Sequence, residues 1–154
     1  MTEVAIALEY MHTKGIVYRD LKSENVMIGR EGHVKLVDLG LAKRILNNRT
    51  LTLCGTPQYL APEKVKGESY GIQVDIWSFG VLLFELLAGY NPFTDEENPM
   101  ALFRNIRKGK INWAPYIGKE AINFIKKLLV IDPKERLAVD KFKLEPLFSV
   151  LCKS

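Results

Sequence analysis

Cysteine is scarce in this sequence of 154 residues, which contains only Cys54 and Cys152. The two are far apart and match neither a disulfide framework nor the short spacing of a metal-binding pair. The chain begins Met-Thr-Glu-Val, without the basic start and apolar core of a signal peptide. A reducing intracellular environment is the simplest reading of these absences, and we expect a cytoplasmic protein.

Long hydrophobic runs and long runs of one charge are also missing. The most apolar segment, residues 76–90, contains Glu85 and is shorter than the roughly 20 residues that span a bilayer. It therefore predicts a buried helix and no membrane association. The formal net charge is +4 and the pI about 9.0, but acidic residues are interleaved with the basic ones. This pattern favours a solvated surface over nucleic-acid binding, an alternative that no motif supports.

What is present is typical of one globular domain: suitable length, 47% hydrophobic residues and no repeats. Apolar periodicity predicts helices over residues 3–13, 75–87, 100–107 and 119–129. The 75–87 segment is apolar on almost all sides, which predicts a central buried helix with Asp75 placed to cap its N-terminus. The predicted fold class is therefore mainly α.

Residues 26–28 and 33–37 predict a small β-hairpin, joined by a turn-rich segment. Antiparallel pairing brings the entry of one strand beside the exit of the other, so Asn25 and Asp38 should be neighbours in space. Their side chains are suited to bridging a metal ion. Residues 39–62 show no convincing periodicity and predict a long functional loop.

Four short motifs carry the functional information: Tyr18-Arg19-Asp20, then Asn25, then Asp38-Leu39-Gly40, then Ala61-Pro62-Glu63. Their order and spacing resemble the C-terminal lobe of a eukaryotic protein kinase. The resemblance covers about residues 1–148, a partial kinase domain, and leaves 149–154 as a C-terminal tail. It implies a kinase-like C-lobe, in which a helical bundle surrounds a central buried helix and carries one small hairpin.

The resemblance also implies chemical roles. Asp20 corresponds to the residue that orients the substrate hydroxyl and accepts its proton, and Lys22 to the lysine that neutralises charge on the transferring phosphoryl group. Asn25 and Asp38 correspond to Mg²⁺ ligands, and Met27 is grouped with the nucleotide-binding residues. ATP and Mg²⁺ are thus the implied cofactors. Taken singly, each Asp or Asn is better explained as a turn or cap residue, so the argument rests on their order.

Tyrosine at position 18 and the segment 50–63 are similar to the AGC group, especially the cyclic-nucleotide-dependent kinases. Thr52 occupies the position that is phosphorylated in that group, and Arg19 and Lys43 are available to pair with the phosphate. The alternative is an ordinary loop threonine. Leu39 replaces the family's phenylalanine, a change that removes neither a ligand nor a base.

Further positions are implied to bind substrate or to support the architecture. Thr56 corresponds to a threonine that contacts the catalytic Asp and Lys, which favours Ser/Thr substrates. A charged Glu85 on an apolar helix needs a partner or a cleft. The implied acidic sites for substrate arginine are Glu24 and Glu85, the implied apolar substrate pocket is Leu53, Pro57 and Leu60, and the implied structural residues are Glu63, Asp75 and Arg136.

None of the eleven glycines forms a G-x-G-x-x-G motif, and Val-Ala-Ile at positions 4–6 is followed by Ala7 in place of a lysine. We therefore expect the N-terminal lobe to be absent from this chain, leaving Leu39 and Met27 exposed and the chain inactive alone.

Two hypotheses follow. The first is the C-lobe of a Ser/Thr protein kinase (EC 2.7.11 type) that phosphorylates protein substrates near basic residues, its N-lobe either lost or supplied by a separate chain. The alternative is a non-catalytic, pseudokinase-like scaffold or decoy that binds substrates or partners. Retention of Asp20, Lys22, Asn25 and Asp38 favours the first.

Overall fold

The computed structural model describes residues 1–45, 49–95 and 98–149. Within this part of the chain most regular structure is helical. In chain order the elements are α1 (Thr2–Thr13), β1 (Ile16–Val17), β2 (Val26–Ile28), β3 (Val34–Leu36), β4 (Lys43–Arg44), α2 (Pro62–Val65), α3 (Gln73–Ala88), α4 (Leu102–Lys108), α5 (Lys119–Leu128) and α6 (Pro146–Ser149).

Helix α3 is the centre of the molecule. It carries Trp77, Phe79 and Phe84, all fully buried, because its sequence is apolar on nearly every side. It ends at Gly89, whose φ of 82° is the left-handed conformation that glycine adopts easily. Helix α5 packs against it at Gly80, where an added Cβ would lie 2.9 Å from the Leu128 Cβ. Glycine is needed there for the close approach of the two helices.

An aromatic cluster closes the core between α3, α5 and the C-terminal segment. The Phe79 and Phe142 ring centroids are 5.0 Å apart, and Phe124 meets Phe148 edge-on at 5.1 Å. A 3₁₀ segment, Val139–Leu144, supplies Phe142. Edge-to-face and tilted ring pairs of this kind stabilise a core beyond simple burial.

The predicted hairpin forms from β2 and β3, with Val26 opposite Leu36 and Ile28 opposite Val34. The structure adds a second antiparallel pair in which Ile16 of β1 faces Arg44 of β4. The prediction that residues 39–62 lack regular structure is therefore partly wrong. A two-residue strand is too short to leave a periodic pattern, and its partner is distant in sequence.

The same segment also contains 3₁₀ turns at Leu39–Leu41 and Pro57–Tyr59 and an isolated bridge between Thr50 and Tyr70. Its residues 46–48 lie outside the described part of the chain.

The remaining predicted helices are present with shifted ends. The segment predicted over residues 100–107 is α4, preceded by a 3₁₀ turn at Pro99–Ala101. The predicted C-terminal tail begins within α6, and its residues 150–154, including Cys152, lie outside the described residues. No helix in the described ranges has both the length and the apolar character needed to cross a membrane.

Candidate active site

The loop that follows β1 is anchored to α3 by one buried carboxylate. Asp75 is inaccessible to solvent, and it accepts hydrogen bonds from the Tyr18 and Arg19 backbone N–H groups, each at 2.8 Å. The prediction that Asp75 caps α3 is wrong, because the N-cap residue is Ile72 and no side chain bonds there. The carboxylate instead satisfies loop N–H groups that would otherwise be buried without partners.

His12, at the end of α1, completes this anchor. Its Nε2 lies 2.8 Å from the Asp75 Oδ2. Sequence reasoning missed this residue, since a single histidine near a helix end carries no signal of a partner 63 positions away.

Two non-glycine residues in the site have left-handed backbone conformations: Arg19, with φ 73°, and Asp38, with φ 56°. Such conformations are costly for residues with a side chain and persist where the surroundings fix them. The Arg19 backbone is held by Asp75, and its Nε donates to the Leu41 carbonyl at 2.6 Å. At Asp38, the side-chain Oδ1 accepts from the Gly40 N–H at 3.2 Å.

The carboxylate of Asp20 is surrounded by donors. Asn25 Nδ2 donates to its Oδ2 at 3.0 Å and to its backbone carbonyl at 2.8 Å. Thr56 Oγ1 donates to Oδ1 at 2.9 Å, and Lys22 Nζ lies 3.3 Å from Oδ2. Lys22 also donates to Thr56 Oγ1 at 3.1 Å. These contacts fix the orientation of both carboxylate oxygens of Asp20. The residue is almost buried, with 8% of its surface exposed.

The hairpin brings Asn25 and Asp38 together at the backbone level, since the Val37 N–H donates to the Asn25 carbonyl at 3.0 Å. The Tyr18 hydroxyl donates to the carbonyl of Val37, the residue that precedes Asp38. Burial, followed by the nearby carboxylates of Asp20, Asp38 and Asp75, raises the Tyr18 pKa to about 12. Tyr18 therefore remains a neutral donor at physiological pH.

The oxygen atoms that Asn25 and Asp38 offer fit a magnesium site. Because Asn25 directs Nδ2 toward Asp20, its carbonyl oxygen is the ligand atom it can offer, and Asp38 is an exposed carboxylate. No cluster of three His, Cys, Asp or Glu side chains within the described ranges is arranged to bind a metal. Two hard oxygen ligands still suffice for Mg²⁺, which usually keeps waters and phosphate oxygens as its other ligands. Met27 and Leu39, the two apolar residues expected to be exposed, are 53% and 59% exposed.

Thr52 is exposed and lies in a network of hydroxyl and cationic groups. Lys43 Nζ donates to Thr50 Oγ1 at 3.1 Å, and this oxygen is 3.4 Å from Thr52 Oγ1. The Tyr70 hydroxyl donates to the Thr52 carbonyl and lies 3.4 Å from Arg19 Nη1. Both predicted cations, Arg19 and Lys43, are thus one hydrogen-bonded neighbour away from Thr52. Tyr70 was not predicted, because an isolated tyrosine between two glycine-containing turns gives no sign of this role.

A buried lysine below this network was also missed. Lys64 is 4% exposed, and burial lowers the pKa of its ammonium group. Its Nζ lies 4.9 Å from the centroid of the Tyr70 ring, a cation–π arrangement that partly compensates the lost hydration. Cys54 is half-buried, with its Sγ 3.9 Å from the Tyr70 hydroxyl.

The residues implied to bind substrate differ in exposure. Glu85 is half-buried on α3 and accepts a hydrogen bond from the Tyr59 hydroxyl, whose pKa is raised to about 12 mainly by burial. Glu24 is exposed, and its carboxylate accepts a hydrogen bond from the Ser23 hydroxyl at 3.0 Å. Of the implied apolar pocket, Leu53 and Pro57 are exposed whereas Leu60 is buried.

Glu63 and Arg136 form a buried, bidentate ion pair in which both N···O distances are 2.7 Å. The guanidinium also donates to the backbone carbonyls of Gln73, Val130 and Ile131. The pair therefore ties the end of the 39–62 segment to α3 and to the loop after α5. It is remote from the Asp20 cluster in its contacts, as expected of a structural pair.

This arrangement of loop, hairpin and helix agrees with comparison to known families. The protein kinase domain model matches residues 1–148, and the chain belongs to the protein kinase family. Within that family it is similar to cyclic-nucleotide-dependent enzymes.

Among curated relatives, it is 48% identical over 135 residues to the human cAMP-dependent protein kinase catalytic subunit PRKX, covering 88% of this chain and 37% of that protein. It is 50% identical over 135 residues to cAMP-dependent protein kinase catalytic subunit 3 of Drosophila melanogaster, covering 88% of this chain and 23% of that protein. The chain thus spans well under half the length of these relatives.

Proposed function

We propose that residues 1–148 form the C-terminal lobe of an AGC-type Ser/Thr protein kinase, with the catalytic base and much of the peptide-binding surface. The observation that carries this proposal is the Asp20 carboxylate, held by Asn25, Thr56 and Lys22 on a loop anchored to α3 through Asp75. Such preorganisation is what phosphoryl transfer requires of the protein, since positioning and electrostatics supply most of the catalysis.

In this proposal Asp20 orients the hydroxyl of a substrate serine or threonine and accepts its proton. Its fixed oxygens allow it to do so without rearrangement. Lys22 carries the positive charge that offsets charge developing on the transferred group. Asn25 and Asp38 would hold Mg²⁺. Magnesium-bound ATP would supply the phosphoryl group, and an N-terminal lobe would cover its adenine side.

Substrate preference follows from the chemistry of the surrounding surface. Thr56 joins Asp20 to Lys22, which supports a Ser/Thr enzyme. Glu24 and Glu85 offer carboxylates to arginine residues of a peptide, and Glu85 is fixed by the Tyr59 hydroxyl. Basic protein substrates are therefore the proposed partners.

Thr52 is the proposed regulatory phosphorylation site. A phosphate adds close to two negative charges, and the Lys43 ammonium and Arg19 guanidinium are near enough to pair with it after modest side-chain rotation. We expect phosphorylation to order the segment around Thr50 and the loop that contains Asp20.

The test is a phosphotransfer assay with Mg²⁺ and ATP on a serine peptide carrying two upstream arginines, with and without an added N-lobe from a cAMP-dependent kinase. We expect transfer only with the added lobe, and an Asp20→Asn variant to lower the rate by roughly 10²–10⁴-fold. A peptide with glutamates in place of the arginines is the matched control. Failure of transfer from a folded, N-lobe-bound chain would defeat the proposal, and arginine-dependent peptide binding without transfer would favour the scaffold alternative.

A further inference from the structure

A cavity of about 370 Å³ lies behind the anchored loop, between α1, the start of α3 and the segment that follows α5. Its apolar wall includes Ile72, Ile76, Leu137 and Val139, and His12 is part of its lining. The volume falls in the usual range of small-molecule sites. We propose that this cavity binds a small molecule with an apolar body and an amine or other N–H donor, and that such a ligand acts on the active-site loop through His12.

His12 provides the polar end of the proposed site. Its side chain is 4% exposed, and among the described residues its buried Nδ1 has no hydrogen-bond partner. Asp75 Oδ2 already accepts the Tyr18 N–H, and as a carboxylate it accepts from His12 too, so Nε2 carries the proton. In the tautomer whose Nε2 donates to Asp75, Nδ1 is left as a bare acceptor. Nδ1 is therefore an acceptor that needs a donor.

Charges around the cavity favour the same ligand. Glu9 and Asp140 contribute carboxylates, and within the described residues neither forms an ion pair with a lysine or arginine. Lys134 is one opposing charge, whereas the Arg136 guanidinium is already neutralised by Glu63. Glu9 is three residues before His12 on α1, so both lie on one helix face. The balance selects an amine over a carboxylate.

The path from the cavity to the catalytic loop is short. His12 bonds Asp75, and Asp75 bonds the backbone N–H groups of Tyr18 and Arg19, directly before Asp20. Because Nδ1 is covered from solvent, a donor must displace its immediate surroundings to reach it. We therefore expect binding to shift the His12 ring and to be felt at the two N–H groups.

The test uses 2-phenylethylamine as the probe and 3-phenylpropionate as a matched anionic control, with binding followed by ¹⁵N NMR of the full chain. Small-ligand efficiencies place the amine Kd at about 1 mM, and we expect the carboxylate to bind at least about tenfold more weakly. Amide shifts should centre on residues of the cavity and extend to Tyr18 and Arg19. The NMR shifts do not depend on phosphoryl transfer. The cavity proposal can therefore fail while the proposed function stands, and the proposed function can fail while the cavity proposal stands.

Three variants separate this site from weak surface binding. Ala138→Trp places a large ring at an exposed position of the cavity lining and should abolish the shifts, whereas Lys141→Trp, exposed and outside the lining, should not. His12→Gln should remove the shifts at Tyr18 and Arg19. Equal binding of amine and carboxylate, or shifts that survive Ala138→Trp in a chain with an unchanged Tm, would overturn the proposal.

Discussion

Replacing Glu63 with glutamine would leave the Arg136 guanidinium buried without a full negative charge opposite it. In the wild-type chain the two side chains are 3% and 0% exposed, and both carboxylate oxygens accept from the guanidinium. Glutamine keeps one acceptor oxygen but turns an NH₂ group toward an Arg136 N–H donor. Arg136 cannot escape to solvent, because its other donors hold the backbone around Val130 and Gln73.

The magnitude follows from this geometry. Breaking a buried pair by removing one partner destabilises a protein by about 3–5 kcal/mol. For a chain of this size each kcal/mol lowers Tm by roughly 2–4 °C, so Glu63→Gln should lower Tm by roughly 6–20 °C. Thermal unfolding followed by circular dichroism measures Tm, and urea unfolding gives the free energy of unfolding directly.

The matched control is Glu145→Gln. Glu145 also pairs with a cation at 2.7 Å, but the partner Lys127 has a side chain that is 51% exposed, so its loss should amount to at most about 1 kcal/mol. If Glu63→Gln and Glu145→Gln lowered the free energy of unfolding equally, the assignment of a structural role to the Glu63–Arg136 pair would be refuted.

Three further substitutions test other features of the fold. Lys64→Met should raise Tm at pH 7, because burial lowers the Lys64 pKa from its usual 10.5 and folding at neutral pH must desolvate the ammonium. The gain in Tm should shrink as pH approaches 10.5. A lower Tm of the variant at pH 7 would contradict this explanation. Gly80→Ala should lower Tm despite the better helix propensity of alanine. The new Cβ would lie 2.9 Å from Leu128, and overpacking of this kind costs about 1–3 kcal/mol. A raised Tm would show that α3 and α5 can move apart without cost. Glu3→Gln should weaken stability to urea at pH 7, because the hydrogen bond from His33 lowers the Glu3 pKa. This stabilisation is fully present above the usual value of 4.5 and is lost as pH falls through the lowered pKa, so the difference from wild type should shrink steadily below pH 4.5. A difference that did not change with pH would exclude the carboxylate as its source.

The order of the motifs was sufficient to predict the family, and the predicted hairpin was sufficient to place the backbones of Asn25 and Asp38 close together, because these features are set by local structure. The hairpin between Asn25 and Asp38 is an example. Two short strands and a turn determine which residues face each other, and these elements lie within fourteen consecutive positions. The long helices were predictable for the same reason, since their apolar periodicity spans several turns. The exposure of Leu39 and Met27 also agreed with the prediction.

Contacts between distant segments were decided only by the tertiary structure. Asp75 near the start of a helix has the local features of a cap, yet its partners are the backbone N–H groups of Tyr18 and Arg19, more than fifty residues earlier. The sequence could not show that Asp75 bonds the loop in place of capping its helix. The cost of leaving the loop N–H groups without partners depends on which distant segments bury them. The same holds for the burial of Lys64 and for the His12 Nδ1, which has no hydrogen-bond partner within the described ranges. Both are properties of packing and leave no local pattern.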